Sequence, residues 1–153
     1  MSAVRLPMPA ALQLEKMKAA GAPNDVLIHA VKSHDFTYLA DYVNDIYSVS
    51  YFKDYAGKHI NECITAIEHG YQFKFLTFNG LKNYLIIRFA LQENIDFFLT
   101  GASIENVILH RDWIAELKRT IPGLWTIEMT ADDNPGSEIV MAKFILSEHS
   151  AVF

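Results

Sequence analysis

Over residues 9–69 the apolar positions follow the spacing of amphipathic helices, in which one side of each helix is buried. The pattern predicts four helices, over residues 9–20, 24–33, 36–56 and 58–69. The third has the clearest pattern, and Gly57 stands where a left-handed residue is expected to end it. Weaker helix formers between Tyr47 and Phe52 are a point at which this helix could break.

After residue 70 the composition changes to alternating aromatic and branched residues, which favour strands. The pattern predicts a hairpin made of a strand over 71–78, a type I′ turn at Asn79-Gly80 and a returning strand over 81–91. A helix is the alternative for the last segment, because Leu81, Leu85 and Phe89 lie at positions i, i+4 and i+8.

The remainder of the chain alternates between strand and helix signals. The predicted elements are a strand over 96–100, a turn over 101–103, a strand or helix start over 106–109, a helix over 111–120, a strand from Trp125 to Met129, a loop over 131–137 and a strand over 138–146. Because the last strand is apolar on both faces apart from Lys143, we predict a central position for it in the sheet.

This order of elements, helices first and strands afterwards, predicts an α+β fold. We expect the N-terminal helices to pack on one face of a mainly antiparallel sheet that ends in a C-terminal β-hairpin. No linker or low-complexity segment divides the chain, so we predict a single domain over 1–153, with a helical portion over 9–69 and a strand-rich portion over 71–146.

Composition narrows the classes of partner. The 153 residues carry a formal net charge of −5, and the acidic residues are spread along the whole chain. Nucleic-acid binding is therefore disfavoured, because it requires clustered Lys and Arg. No apolar run approaches the roughly 20 residues of a membrane span, and the first residues do not resemble a signal peptide. With Cys63 as the single cysteine, no intrachain disulfide can form, and we expect a cytoplasmic protein without membrane contact.

Two short motifs have the letters of known chemistry but not its context. His110-Arg111-Asp112 matches part of a kinase catalytic loop, yet the expected asparagine is Leu117 and no glycine-rich loop is present. His59 and Cys63 are four residues apart and would share a helix face, but a zinc site needs at least three protein ligands. We therefore expect a helix-terminal Asp112, a buried apolar Cys63 and no metal or cofactor.

Two further polar clusters fit ordinary turn chemistry better than catalysis. His29, His34 and Asp35 could supply a histidine–carboxylate pair for acid–base work, although a cap at His34-Asp35 is the simpler interpretation. Residues 132–136, with two carboxylates and an amide, lack the spacing of a calcium loop and are typical of a turn.

The most unusual feature is a concentration of tyrosine between residues 38 and 55. Tyr47, Tyr51 and Tyr55 would form one stripe at i, i+4 and i+8 if the helix continues through them. Aspartates interleave with the tyrosines, so an exposed stripe would be an acidic and aromatic face suited to a basic protein. Burial beneath the sheet is the alternative. The predicted partner-binding residues are Tyr42, Asp45, Tyr47, Tyr51 and Tyr55.

These features favour a small acidic protein-binding module, such as an inhibitor, an immunity-type protein or an adaptor, over an enzyme. The alternative is a small-molecule binding protein or enzyme with an aromatic-lined pocket between helices and sheet, where His34 or His59 and an aspartate supply the polar groups. A third hypothesis is a homo-oligomer that buries the tyrosine stripe at a twofold axis.

Overall fold

Helices and antiparallel strands segregate along the chain in the computed structural model, which describes residues 4–101, 103–123, 125–129 and 138–146, apart from the side chain of Ile46. Internal contacts divide the chain into two compact units, Met1–Phe75 and Leu76–Phe153, called unit 1 and unit 2 below. The predicted α+β class is confirmed. The assignment of a single domain remains a prediction.

Unit 1 is helical and is joined at its ends by a short parallel strand pair. Its elements are β1 (Arg5–Leu6), α1 (Met8–Ala19), α2 (Asn24–Ser33), two 3₁₀ helices (Phe36–Leu39 and Ile46–Val49), α3 (Ser50–Lys58), α4 (Ile60–His69) and β2 (Gln72–Phe73). Backbone N–H groups of Gln72 and Lys74 donate to the carbonyls of Val4 and Leu6 at 2.8 and 2.9 Å. The predicted helices over 9–20, 24–33 and 58–69 correspond to α1, α2 and α4.

The predicted continuous helix over 36–56 is wrong. Two aspartates start 3₁₀ helices instead: the carboxylate of Asp35 accepts the N–H of Thr37, and that of Asp45 accepts the N–H of Tyr47, each at 3.0 Å. Such side-chain acceptors compete with the helical hydrogen-bond pattern and restart the chain in a new direction. The result is that α3 begins only at Ser50.

Gly57 is also not the helix end that the sequence predicts. It lies inside α3, where a Cβ atom would come within 2.9 Å of the His34 imidazole, so the absence of a side chain leaves room for that ring. The left-handed residue is His34 itself, which ends α2 with a φ of 55°.

Unit 2 begins with a helix, so the predicted hairpin over 71–91 is wrong and its helical alternative is correct. α5 spans Phe78–Phe89, and the hydroxyl of Thr77 caps it by accepting the N–H of Gly80 at 3.0 Å. Asn79-Gly80 thus lies in the first turn of a helix rather than between two strands. Leu81, Leu85 and Phe89 are buried, as their i, i+4, i+8 spacing requires of one helix face.

The sheet of unit 2 has four antiparallel strands in the order β3-β4-β6-β5. Its strands are β3 (Phe98–Thr100), β4 (Ser103–His110), β5 (Trp125–Met129) and β6 (Ile139–Leu146), with α6 (Arg111–Thr120) between β4 and β5. The predicted helix over 111–120, the strand from Trp125 to Met129, the central position of the last strand and the C-terminal antiparallel pair are all confirmed. Residues 131–137, predicted as a loop, lie outside the described residues.

The two helices of unit 2 pack on each other and on the sheet. The rings of Phe89 in α5 and Trp113 in α6 stack at 4.7 Å, and the Arg88 guanidinium lies 2.7 Å from the Glu116 carboxylate. The indole N–H of Trp125 in β5 donates to the carbonyl of Leu76 at 2.8 Å. The first two contacts join α5 to α6, and the third joins the residue before the α5 cap to β5, an edge strand of the sheet.

In the described strands β4 and β6, one face is buried and the other is open, although β6 is apolar on both. Val140 is 3% exposed and pairs with buried Leu109, whereas Ile139 is 53% exposed and Met141 pairs with exposed Ile108. Successive strand residues point to opposite faces, so this alternation separates a core face from an open face. A central position in a sheet therefore did not imply burial on both sides.

Candidate functional site

The seven tyrosines of the chain fall into two environments. Tyr71 is 7% exposed and its hydroxyl donates to the buried Glu15 carboxylate at 2.5 Å, while Tyr84 is buried against Phe89. The other five lie between residues 38 and 55, and all are half-buried or exposed: Tyr38, Tyr42, Tyr47, Tyr51 and Tyr55. The tyrosines of this segment therefore present ring surface to solvent.

Tyr47 and Tyr51 are the most accessible tyrosines among the predicted partner-binding residues. Tyr47 is 82% exposed, and its backbone N–H is held by Asp45, so the same aspartate that bends the chain also fixes this tyrosine's backbone. Tyr51 is 45% exposed on the first turn of α3. Because Tyr47 precedes α3, the predicted three-residue stripe does not run along one helix; only Tyr51 and Tyr55 are one helical turn apart.

Tyr55 is more constrained than its neighbours. Its ring stacks on the His59 imidazole at 4.2 Å, the ammonium of Lys74 lies 5.9 Å from the ring centroid, and its hydroxyl donates to Glu62 at 3.4 Å. Partial burial, and then the nearby Glu62 carboxylate, raise the pKa of the Tyr55 phenol. Tyr55 therefore remains neutral at physiological pH and packs against its own unit.

A groove of about 490 Å³ opens between α2 and the first 3₁₀ helix with the turn that follows it. Six residues line it: Asp25, Val26, His29, Tyr38, Asp41 and Tyr42. The His29 and Tyr38 rings meet edge to face, with centroids 4.4 Å apart and an angle of 76° between planes. Of the predicted site residues, this groove contains Tyr42.

His29 and Tyr38 were not among the predicted site residues. In the sequence, Tyr38 is one of the clustered tyrosines and His29 is one of the histidines near Asp35, with nothing that connects the two. Their proximity depends on the left-handed turn at His34, which brings the chain back along α2.

His59 and Cys63, four residues apart in the sequence, have different surroundings. The Cys63 thiol is buried, and burial followed by the Glu62 charge raises its pKa to about 11. The His59 imidazole lies 3.5 Å from the Glu62 carboxylate. Within the described residues, no three His, Cys, Asp or Glu side chains converge as metal ligands.

The remaining polar motifs serve as caps. The His110 imidazole accepts the N–H of Asp112 at 3.2 Å at the start of α6, where the Asp112 charge is favourable as expected. Hydrogen bonds from the Thr37 hydroxyl and backbone N–H lower the pKa of the Asp35 carboxyl. The cluster over 132–136 lies outside the described residues.

Comparisons with known proteins give no independent assignment: no family model, no curated protein and no solved structure matches the chain. In the part of the chain that the structure describes, no helix combines the length and the apolar character needed to cross a bilayer.

Proposed function

We propose that the chain is a small acidic protein-binding module that acts in the cytoplasm by contact with a basic protein partner, as an inhibitor, immunity-type or adaptor protein does. The observation that carries this proposal is the separation of the tyrosines. All five between residues 38 and 55 present surface to solvent, whereas Tyr71 and Tyr84 are buried. The proposed contact residues are Tyr42, Asp45, Tyr47, Tyr51 and Tyr55.

Tyrosine is suited to this role because it combines a large ring with a polar tip and loses little conformational entropy when it is fixed. An accessible ring such as Tyr47, at 82% exposure, contributes no core burial to its own fold. Its ring surface is available to a partner, where aromatic residues often contribute most of the binding energy.

The charge of the segment favours a basic partner. Between residues 38 and 55 the chain carries Asp41, Asp45 and Asp54 against one cation, Lys53. Complementary charge accelerates encounter and excludes partners of like sign, which here include nucleic acids. The whole chain has the same sign, with a formal net charge of −5.

The groove beside α2 favours recognition over catalysis. An enzyme of this type would hold a histidine and a carboxylate together in a closed cleft, where water is excluded and proton transfer is directed. The groove is open, and His29 is exposed. The second candidate function is a small-molecule binding protein, and the same groove is the observation that favours it. The histidine that lines the groove is His29, whereas the predicted histidines were His34 and His59.

The proposal is tested by quantitative capture from the native host with the wild-type protein and with Tyr47→Ala/Tyr51→Ala. Both side chains are exposed, so the double variant should fold normally. Phe75→Ala is the matched control, because Phe75 is also an exposed aromatic residue of unit 1, at 51%, but lies outside the tyrosine segment.

We expect a partner rich in Lys and Arg to be retained by the wild type and by Phe75→Ala and to be lost from the double variant. The retained amount should fall as salt is raised, because exposed charges are screened. An identical partner set for all three proteins would remove the tyrosine segment as the binding surface.

A further inference from the structure

The groove beside α2 combines aromatic rings with two carboxylates that have no ion-pair partner among the described residues. Asp25 lies in the first turn of α2, where its carboxylate accepts the N–H of Val26 at 3.0 Å. Asp41 is exposed in the turn after the first 3₁₀ helix. Tyr38, 51% exposed, and half-buried Tyr42 supply the rings of this groove.

We propose that this groove binds the guanidinium group of an arginine side chain presented by the basic partner. This inference rests on the proposed function and specifies which chemical group of the partner is recognised. A planar guanidinium fits a site of this kind because it can donate hydrogen bonds to carboxylates while its face stacks on an aromatic ring.

The composition of the groove disfavours anionic and apolar ligands. The groove has a volume of about 490 Å³, which accommodates a long side chain with part of its backbone. The groove is also open, so that such a side chain can enter from solvent. Two carboxylates repel a phosphate or carboxylate ligand. An apolar side chain is also disfavoured, because it would cover Asp25 and Asp41 without offering either carboxylate a partner.

A divalent metal ion is a poor fit. Calcium and magnesium take six or more oxygen ligands, whereas this groove offers two carboxylates, and no cluster of three metal-ligating side chains occurs within the described residues. The guanidinium group needs only two acceptors and a ring. The chemistry of the groove therefore corresponds to an organic cation.

The experiment is a titration of the intact protein with N-acetyl-arginine amide, monitored by NMR, with N-acetyl-citrulline amide as the matched ligand. Citrulline has nearly the same shape as arginine but carries no charge. We expect saturable shifts confined to residues of α2 and of the segment around Tyr38 and Asp41, with a dissociation constant of about 1 mM, and no saturable shifts with citrulline.

Two variants locate the site. Asp41→Asn keeps the size of the side chain and removes its charge, so arginine binding should weaken about three- to fivefold, the effect of one exposed ion pair. Glu68→Gln removes the same charge from an exposed position of α4 and should leave the affinity unchanged. Unperturbed spectra of both variants will show that the fold is retained.

The inference is overturned if arginine and citrulline give the same shifts, or if Asp41→Asn and Glu68→Gln bind arginine equally. Because this titration uses no partner protein, it is independent of the capture experiment. Failure of arginine binding while Tyr47→Ala/Tyr51→Ala loses the partner would remove the groove assignment and leave the proposed function intact. Arginine binding without capture of any partner would keep the groove assignment and remove the proposed function.

Discussion

At the scale of single residues, chemical type alone does not determine environment in this chain. Tyr71 and Tyr47 are both tyrosines in unit 1, yet one is nearly inaccessible and bonded to Glu15 while the other is 82% exposed. The difference follows from what surrounds each residue in the folded unit. Tyr71 immediately precedes β2, whose partner strand is 67 positions earlier in the chain, at Arg5–Leu6.

Cys63 gives a direct test of burial at this scale. Its raised pKa of about 11, against an ordinary value of 9.0, means that the folded state favours the protonated thiol. The thiolate fraction at pH 8 is thus about 100-fold lower than in the unfolded chain, because each pKa unit is a factor of ten. Burial slows access further, so we expect labelling by a thiol reagent to be at least 100-fold slower in the native protein.

The measurement compares labelling rates at pH 8 with and without denaturing urea. The upward direction of the Cys63 pKa shift also fixes a pH window for stability, because the folded state holds this proton more tightly than the unfolded chain does. The contribution of Cys63 to the free energy of unfolding therefore declines as pH rises from 9 towards 11. Native labelling as fast as in urea would contradict both the burial and the pKa.

At the scale of elements, strong repeating patterns were predictive and short apolar runs were not. The helix over 111–120 and the strand Trp125–Met129 were located correctly because each has one consistent period. Residues 78–89 satisfied two periods, and the cap at Thr77 decided between them. The helix over 36–56 failed because caps at Asp35 and Asp45 act locally, against an otherwise helical apolar pattern.

The candidate site was predictable to a lesser degree than the fold. The concentration of tyrosine and aspartate is visible in the sequence, so Tyr42, Tyr47 and Tyr51 could be named. The groove could not, because it requires the contact of His29 with Tyr38, which depends on the left-handed backbone of His34. A non-glycine residue with positive φ has too weak a sequence signal to be predicted at one position.

The sheet provides a test at the element scale, because the same substitution should cost more stability at one residue of β6 than at its neighbour. Val140→Thr places a hydroxyl on the buried face and should lower the free energy of unfolding by about 1–3 kcal/mol. Ile139→Thr changes a residue that is 53% exposed and should cost under about 1 kcal/mol, since threonine is also favourable in strands.

Urea unfolding of the two variants measures this difference. Equal losses of stability would mean that β6 is buried on both faces. A larger loss for Ile139→Thr would reverse the assignment of the core face.

At the scale of the whole molecule, charge and composition exclude more than they identify. The net charge of −5, spread along the chain, opposes nucleic-acid binding and favours basic partners without selecting one of them. What the structure adds is a location: the five tyrosines that present surface to solvent belong to one segment of unit 1, which is also where aspartates outnumber lysines. The central claim is that this segment is the binding surface.

The most direct test is calorimetric titration of the captured partner with the wild type, Tyr47→Ala/Tyr51→Ala and the Phe75→Ala control. Loss of two accessible aromatic contacts should weaken binding at least tenfold, because a single interfacial aromatic residue often contributes more than about 1 kcal/mol. The control should bind as the wild type does, and higher salt should weaken both. Equal affinity of the double variant and the wild type would contradict the claim that the tyrosine segment binds the partner.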